Sequence, residues 1–378
     1  MSVDVEKRWS TDQLITGIEI NDWLKLLSKN QWKVDPVYAH RVAWVSAFSV
    51  ASTAAGRFED ARYGRELASM EINPEPLFLL GHWRSGTTHL HNLLGRLPGH
   101  TYPTVYQAVF PGCFLTTSSW VQPLTARLMG GTRSYDNVKH GWNEAAEDEI
   151  ALAKLTGMSP YIGFMFPGYA HRYEKYLDFE ECSVAERTAW KDAFRYLVKK
   201  IMLATGGDRV VVKSCTHTAR IRLLLELFPN ARFVHITRHP YEVYASTIHM
   251  RSHTDWENHF HLPEGDAEEV RSRQTLTLGQ KMFERVVDDR RLIPEGNLVE
   301  IKYEDLIGNE MAHVENIYKT LRLSNWDSAK PVLAGYLEGV KGYKRNKLKL
   351  DKGRRDEVFE HWRVMFDTYG YEREFKVG

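Results

Sequence analysis

The sequence has few cysteines, almost no net charge and no long hydrophobic run. Its three cysteines in 378 residues form no C-x-x-C pair and no zinc-ligand spacing, which excludes a disulfide framework and favours a reducing compartment. Because 50 basic side chains are balanced by 49 acidic ones, the net charge is only +1, and the chain as a whole does not attract polyanions. Nucleic acid is therefore not expected as a partner, and any anionic ligand must bind at a local site.

Neither a membrane span nor an export signal is expected. The longest uncharged run in the early chain, residues 42–56, covers about 15 residues, whereas a bilayer-spanning helix needs about 20 apolar ones. Residues 1–9 mix acids with bases and contain no apolar core, unlike a secretory signal. We expect a soluble, cytoplasmic protein in which residues 42–56 form a buried or interfacial helix. If this helix is interfacial, it could make a peripheral membrane contact.

Short apolar segments alternate with helical patterns along the chain. Residues 77–81, 209–213, 232–237 and 298–302 are typical of buried strands, because they are rich in apolar residues and lie between turn residues or charges. Helical spacing follows the first three of them. This alternation predicts an α/β fold with a central, mostly parallel sheet flanked by helices, and such sheets bind ligands at the carboxyl ends of their strands.

The motifs described below extend from residue 81 to residue 303, which favours one domain over residues 76–378. Residues 1–75 are predicted to form a helical N-terminal extension packed on that domain. Residues 98–206 are rich in aromatic side chains and are predicted to be a mostly helical insertion that forms a lid or acceptor pocket. An amphipathic helix is expected near the C-terminus, with an apolar face made of Val358, Phe359, Trp362, Met365 and Phe366.

The segment between the first strand and its helix is a candidate anion site. Residues 81–88 read Gly-His-Trp-Arg-Ser-Gly-Thr-Thr, and the backbone N–H groups of such a turn, next to a helix N-terminus, bind phosphate. The ATP-binding pattern G-x-x-x-x-G-K-[ST] requires lysine where this chain has Thr87, and the positive charge lies at Arg84 instead. A P-loop kinase using ATP is thus an alternative that this departure weakens.

The run Arg84-Ser85-Gly86-Thr87-Thr88 resembles the 5′-phosphosulfate loop, P-[KR]-S-G-T-T, of sulfotransferases that use 3′-phosphoadenosine 5′-phosphosulfate (PAPS). Trp83 stands where the family has proline. His89 stands where many cytosolic members have a tryptophan that stacks on adenine, so that contact does not carry over.

Two further segments resemble the same family. Arg238 and Ser246 match its 3′-phosphate site, Arg-x7-Ser, and a guanidinium followed by a hydroxyl suits a phosphate. Tyr303 opens a Y-E-D-L run like the family's Y-E-D-[LM], whose tyrosine lies near adenine. The three motifs occur in the family's order and cover roughly residues 76–310. For a late basic phosphate contact, Lys344-Arg345 and Arg354 are both candidates.

The resemblance implies a PAPS-dependent sulfotransferase with the P-loop-NTPase-like fold of that family. It implies that Arg84 and Lys213 stabilise the charge that develops at the bridging oxygen, so that no metal is required. The general base is expected to be either His217, four residues after Lys213, or Asp148, an acid on the apolar face of a predicted helix. The residues expected to bind the nucleotide are Arg84, Ser85, Gly86, Thr87, Thr88, Arg238, Ser246 and Tyr303.

The acceptor is expected to be a hydroxyl of a small molecule or a glycan. Aromatic side chains of the insertion favour a lipophilic alcohol, such as a sterol, lipid or phenol, although aromatic surfaces also stack on sugars. A non-catalytic nucleotide-binding protein and a homodimer both stay open. The aromatic residues concerned are Phe110, Phe114, Trp120, Trp142, Tyr161, Phe164, Phe166 and Tyr169.

Overall fold

A five-stranded parallel sheet organises the part of the chain that carries the motifs. The structure, a computed structural model, describes residues 13–126, 131–132, 139–339 and 348–375. The strands are β1 (Leu77–Leu80), β2 (His100–Thr101), β3 (Gly131–Thr132), β4 (Lys139–His140), β5 (Arg209–Lys213), β6 (Arg232–Thr237) and β7 (Leu298–Lys302).

Helices precede, separate and follow these strands in the chain. They are α1 (Ile20–Lys29), α2 (Ala39–Ser69), α3 (Thr87–Gly95), α4 (Val105–Val109), α5 (Phe114–Thr125), α6 (Asp148–Thr156), α7 (Pro160–Met165), α8 (Val184–Thr205), α9 (Ile221–Leu227), α10 (Pro240–Asn258), α11 (Ala267–Asp289), α12 (Tyr303–Leu306), α13 (Glu310–Thr320), α14 (Trp326–Gly339) and α15 (Lys352–Tyr369).

The sheet has the strand order β2-β5-β1-β6-β7, with β1 at its centre and every neighbour parallel. All four residues of β1 are fully buried, because helices cover both faces of the sheet. The predicted α/β fold with a central parallel sheet is confirmed, and so are the four predicted strands. The two-residue strand β2 was not predicted, since a segment this short has no detectable period.

The chain divides into two compact units. The sheet unit comprises Asn73–Tyr102, Thr205–Met250 and residues 271–375, and the helical unit comprises residues 13–72, Pro103–Ala204 and Arg251–Val270. The proposed limits of the N-terminal extension, the single domain and the insertion stay predictions.

Two apolar clusters support the sheet unit. Leu90 of α3, Val314 of α13 and Leu333 of α14 pack with β-strand side chains in one cluster. Phe283 of α11 and Trp362 of α15 belong to the other, which confirms the amphipathic C-terminal helix. Burial of each such side chain contributes about 1.5–3 kcal/mol, so these clusters hold the strand ends in fixed positions.

The helical unit contains an ion pair without solvent exposure. Lys200 of α8 pairs with Glu59 of α2, and both side chains are fully buried. Lys200 also donates to the carbonyl of Pro111 at 2.6 Å, while Glu59 accepts from the backbone N–H of Thr116 at 2.8 Å. Loss of one partner would leave a buried charge uncompensated, so this pair fixes the rotation of α2 against its neighbours.

Among the described residues, no helix is both long enough and apolar enough to cross a bilayer.

Candidate functional site

The loop between β1 and α3 adopts a backbone conformation suited to an anion. Arg84 has φ 67° and Gly86 has φ 102°, both in the left-handed region, and Gly86 is the N-cap of α3. Ser85 tightens the turn, because its backbone N–H and its Oγ donate to the carbonyl of His82 at 3.1 and 2.7 Å. Left-handed residues in such a turn point neighbouring N–H groups toward one place, a geometry that binds phosphate oxygens.

Glycine at position 86 is required by the approach of Tyr303. A Cβ added at Gly86 would overlap the Tyr303 ring, and the positive φ would strain any other residue. The ring of Tyr303, the first residue of α12, thus lies directly against the loop. The Y-E-D-L segment and the loop are neighbours in space although they are far apart in the chain.

Arg238 links the second motif to the first. Its Nη2 lies 2.6 Å from Glu242 Oε2, and its Nη1 donates to the carbonyl oxygen of Arg84 at 3.2 Å. Its guanidinium is 4.7 Å from the centre of the Tyr303 ring, which adds a cation–π contact. Arg84 Nε in turn donates to Ser246 Oγ at 3.0 Å.

The side chains of the three motifs therefore meet at the carboxyl ends of β1 and β6 in the sheet unit. The remaining loop residues lie there as well: Ser85 and Thr87 are buried, and Thr88 is half-buried in the first turn of α3. Two arginines, several hydroxyls and the backbone N–H groups at a helix N-terminus can bind a doubly phosphorylated nucleotide.

Lys213 ends β5, next to β1 in the sheet. Its Cα is in register with Leu79, so it reaches the same edge of the sheet as the loop, and its side chain is almost fully buried. His217 follows in a 3-10 helix, Cys215–Ala219. The His217 side chain has 0% exposure, and its ring stands edge-on to Phe78, with 5.8 Å between the ring centres.

The 3-10 helix after β5 also contacts the loop. Thr218 Oγ1 accepts a hydrogen bond from the backbone N–H of Gly81 at 2.7 Å, and Cys215 Sγ lies 3.8 Å from Thr87 Oγ1. Lys213 and His217 thus belong to a segment attached to both ends of the loop between β1 and α3.

Asp148, the second candidate base, lies in the helical unit. It is the first residue of α6, and its side chain is buried. Arg354, one candidate for a late phosphate contact, is near the start of α15, where its Nη1 lies 2.7 Å from Glu357 and donates to Ser272 Oγ at 3.2 Å. Lys344-Arg345, the other candidate, lies outside the described residues.

Three residues at the site were missed in the sequence. Glu242 pairs with Arg238 at a spacing of four residues, a signal that was available. Thr218 and His82 carry no such signal. Burial lowers the pKa of His82 to about 4, so its ring is neutral, and it stacks on Phe283 with 5.2 Å between centres.

A parallel sheet with an anion-binding loop after its central strand, and with an arginine and a serine after the next one, defines an α/β protein that binds a phosphorylated nucleotide. A family model described as "Sulfotransferase family" matches residues 76–328. The chain belongs to the PAPS-dependent sulfotransferase family, and the prediction made from its three motifs is confirmed.

Full-length relatives agree with this assignment. The chain is 32% identical over 367 residues to omega-hydroxy-beta-dihydromenaquinone-9 sulfotransferase Stf3 of Mycobacterium bovis, with 97% of this chain and 93% of the relative covered. The Stf3 of Mycobacterium tuberculosis matches with the same figures. The protein is thus a sulfotransferase enzyme.

Solved structures show the same fold. Sulfotransferase STF1 from Mycobacterium tuberculosis has a TM-score of 0.64 at 18% identity, with 91% of each chain covered. Sulfotransferase STF9 from Mycobacterium avium has a TM-score of 0.66 at 16% identity, with 94% of this chain and 97% of that chain covered.

Proposed function

We propose that this enzyme transfers the sulfuryl group of PAPS to the hydroxyl of a lipophilic alcohol. The observation that carries the nucleotide part is the contact network of Arg84, Ser246 and Arg238, with distances of 3.0 and 3.2 Å. A PAPS molecule has phosphate at both the 5′ and the 3′ position. The two predicted phosphate-binding segments lie side by side, which supports a ligand that occupies both at once.

The residues fit that ligand in charge and in shape. In the proposal, the N–H groups and hydroxyls of residues 85–88 bind the 5′ side, Arg238 and Ser246 bind the 3′-phosphate, and Tyr303 lies near the base. Arg238 pairs with Glu242, and a phosphate, which carries more charge than the carboxylate, would compete for the same guanidinium.

PAPS supplies the sulfuryl group, and the protein supplies positive charge where the bond to phosphate breaks. Arg84 extends from the loop, and Lys213 ends the adjacent strand at the same sheet edge. Cations aimed at a developing negative charge stabilise the transition state more than the ground state. We assign this role to both residues and assign none to a metal; the absence of a metal stays a prediction.

The proposed acceptor class rests on two observations. The relative Stf3 is named for a hydroxylated menaquinone, a lipid-like alcohol. In the helical unit, Trp142 stands 5.3 Å from Tyr106 and 6.2 Å from Phe110, measured between ring centres, which makes an aromatic cluster suited to an apolar chain. A carbohydrate acceptor, a homodimer and a cytoplasmic location stay predictions.

The two candidates for the general base, His217 and Asp148, are both buried. His217 is close to Lys213 in the chain but has its ring against Phe78, so a side-chain or backbone movement must precede contact with an acceptor. Asp148 is buried at the start of α6. We propose His217 first, because it shares a strand end with Lys213.

Nucleotide choice tests the proposal directly. Adenosine 3′,5′-bisphosphate should raise the melting temperature far more than AMP or ATP, since only the bisphosphate occupies both phosphate positions. A ligand at about 100 times its Kd stabilises the folded state by about 2.7 kcal/mol. Equal shifts with AMP and the bisphosphate, or a magnesium-dependent shift with ATP, would contradict the assignment.

Acceptor class is tested by transfer from labelled PAPS to matched alcohols. A long-chain isoprenoid alcohol, a sterol, a phenol and a monosaccharide are compared at equal concentration. The lipid alcohols are expected to give the highest kcat/KM. Faster transfer to the monosaccharide would overturn the acceptor proposal while leaving the nucleotide assignment intact.

A further inference from the structure

The longest helix of the helical unit presents an apolar face to solvent. Eight exposed, uncharged residues along one side of α2 form what we term the outer face, and the exposed Arg57 lies at its edge, seven residues after Val50. Val50 is 59% exposed and Phe58 is 60% exposed. The outer face consists of Ala43, Trp44, Ala47, Val50, Ala51, Ala54, Phe58 and Ala61.

The opposite side of α2 is the polar one, the reverse of a surface helix in water. Arg41 donates to the carbonyls of Trp256 and His259 at 2.7 and 2.8 Å, Thr53 Oγ1 accepts from the N–H of Ile20 at 2.8 Å, and Glu59 pairs with Lys200. Rotating α2 to bury its apolar side would break all of these interactions. The outer face is therefore fixed toward the outside.

Charges at the end of the outer face are basic. Arg62 and Arg65 follow Phe58 by four and seven residues, so both continue the same side of α2, and both are exposed. Asp60 is instead hydrogen-bonded by the hydroxyl of Tyr196 at 3.0 Å, on another side of the helix. Glu66 is exposed one residue after Arg65. An apolar strip continued by arginines complements the acyl region and the phosphates of an anionic lipid surface.

The neighbouring helix α5 repeats this composition. It packs on α2 through the bond between Glu59 and Thr116, and residues 114–125 contain no charged side chain. Trp120 is 60% exposed and Leu124 is 76% exposed. Exposed tryptophan beside aliphatic residues is favoured at the boundary between water and hydrocarbon.

We propose that the outer face of α2, with Trp120 and Leu124 of α5, binds the surface of an anionic lipid bilayer. The outer face is about 27 Å long and about 10 Å wide. Its area is therefore well below the roughly 800 Å² that each partner of a stable protein interface buries. A lipid surface needs no such complementary area, because affinity there sums apolar insertion and attraction to headgroups. Contact with lipid would give the enzyme access to an acceptor dissolved in the bilayer, a purpose that rests on the proposed function.

Binding is measured without any acceptor, by sedimentation of the full chain with vesicles of phosphatidylcholine and phosphatidylglycerol in equal parts. The variant V50D/F58D should bind at least about tenfold more weakly, because two charges would enter the apolar boundary. R62E/R65E should weaken binding and reduce its dependence on salt. The control Val332→Asp, at an exposed valine of α14, should bind like the wild type.

Three results would overturn the proposal. The first is no binding of the wild type to the vesicles, the second is V50D/F58D binding them as tightly as the wild type, and the third is a loss of vesicle affinity in Val332→Asp as large as that in V50D/F58D. A fourth is a wild-type dimer in light scattering that V50D/F58D converts to a monomer, which would assign the outer face to a second copy. Phe58→Ser provides the same test if V50D/F58D does not fold.

A transfer assay separates this proposal from the proposed function. V50D/F58D should lose rate with an alcohol embedded in vesicles and keep it with a short-chain soluble alcohol. If the wild type sulfates neither alcohol, the proposed acceptor class fails, and vesicle sedimentation alone decides the role of the outer face.

Discussion

At the scale of single residues, Arg84 and Arg238 have different neighbours, and this difference agrees with the different roles that we propose for them. The guanidinium of Arg238 is held in position by Glu242 and by the Arg84 carbonyl, which suits the binding role that we propose for it. Arg84 donates through Nε to the hydroxyl of Ser246. A ligand group that binds this hydroxyl would therefore change the position of the Arg84 side chain. Preorganised charge favours affinity, whereas charge that meets the breaking bond favours turnover.

Substitutions of Arg238 and Lys213 should therefore have different effects. Arg238→Ala is expected to weaken adenosine 3′,5′-bisphosphate by about 2 kcal/mol or more, because a charge-assisted contact is lost. Lys213→Ala is expected to lower kcat on the order of 100-fold with little change in nucleotide Kd. Calorimetric titration and initial rates measure the two effects.

Arg195→Ala is the matched control, since Arg195 pairs with Asp192 on the surface of α8 and both side chains are exposed. It should change neither quantity. If Lys213→Ala loses only nucleotide affinity, the role assigned to Lys213 is wrong.

The base is decided by a pair of substitutions. His217→Gln keeps a polar group in the buried site but cannot take up a proton, and it should lower kcat on the order of 100-fold while nucleotide binding is kept. Asp148→Asn keeps the shape and removes the charge, and its kcat should stay near wild type. Melting curves confirm that both variants fold. The reverse pattern would make Asp148 the base and leave His217 a core residue.

At the scale of elements, the helix α15 supports the loop between β1 and α3, although α15 lies beyond the residues matched by the family model. Trp362 of α15 is fully buried, its ring is 5.1 Å from that of His82, and its Nε1 donates to the Leu276 carbonyl at 3.0 Å. Gly279 of α11 makes room for it, because an added Cβ would lie 2.5 Å from the indole. His82, within the loop, thus rests on α15.

Trp362→Ala should accordingly affect both stability and nucleotide binding. Removing a buried tryptophan costs about 3–5 kcal/mol of unfolding free energy, and His82 would lose a packing partner, so the bisphosphate should also bind more weakly. Urea denaturation and calorimetry measure these changes. Trp32→Ala, at a tryptophan that is 58% exposed, should change stability by less than about 0.5 kcal/mol. Normal nucleotide affinity in a destabilised Trp362→Ala would show that the loop does not depend on α15.

At the scale of the whole molecule, each unit contains a buried neutral histidine. Burial lowers the pKa of His82 in the sheet unit to about 4, and it does the same for His259 in the helical unit. In the unfolded chain both rings have the ordinary pKa of 6.5. Below that value the unfolded state takes up protons that the folded state does not, so acid favours unfolding.

The melting temperature should thus be highest above pH 6.5 and fall as the pH decreases from 6.5 toward about 4. A shift of this size corresponds to at most about 3 kcal/mol for each ring. His82→Gln removes one titrating group and should flatten the pH dependence of the melting temperature. Equal melting temperatures at pH 7 and 5, read by calorimetry, would contradict this prediction.

Sequence patterns within short segments were enough to predict the main strands and the loop after the first of them. The four main strands could be located because short apolar segments between turn residues have few other stable conformations, and the phosphate loop because its glycine and hydroxyls are contiguous. The spacing from Arg238 to Ser246 is also local, within a strand end and one helix. These features identify the family and the sheet edge at which we propose that the nucleotide binds.

Long-range packing decided the rest. The bond from Arg84 to Ser246 joins residues 162 positions apart, and the support of His82 by Trp362 joins the loop to the last helix. The sequence left residues 42–56 as either a buried or an interfacial helix, because apolar residues occur on more than one side of α2. The buried polar contacts of α2, above all the ion pair of Glu59 with Lys200, fix which side of the helix faces inward. A buried charge is costly without its partner, whereas an exposed alanine or valine costs little, so the apolar side faces outward.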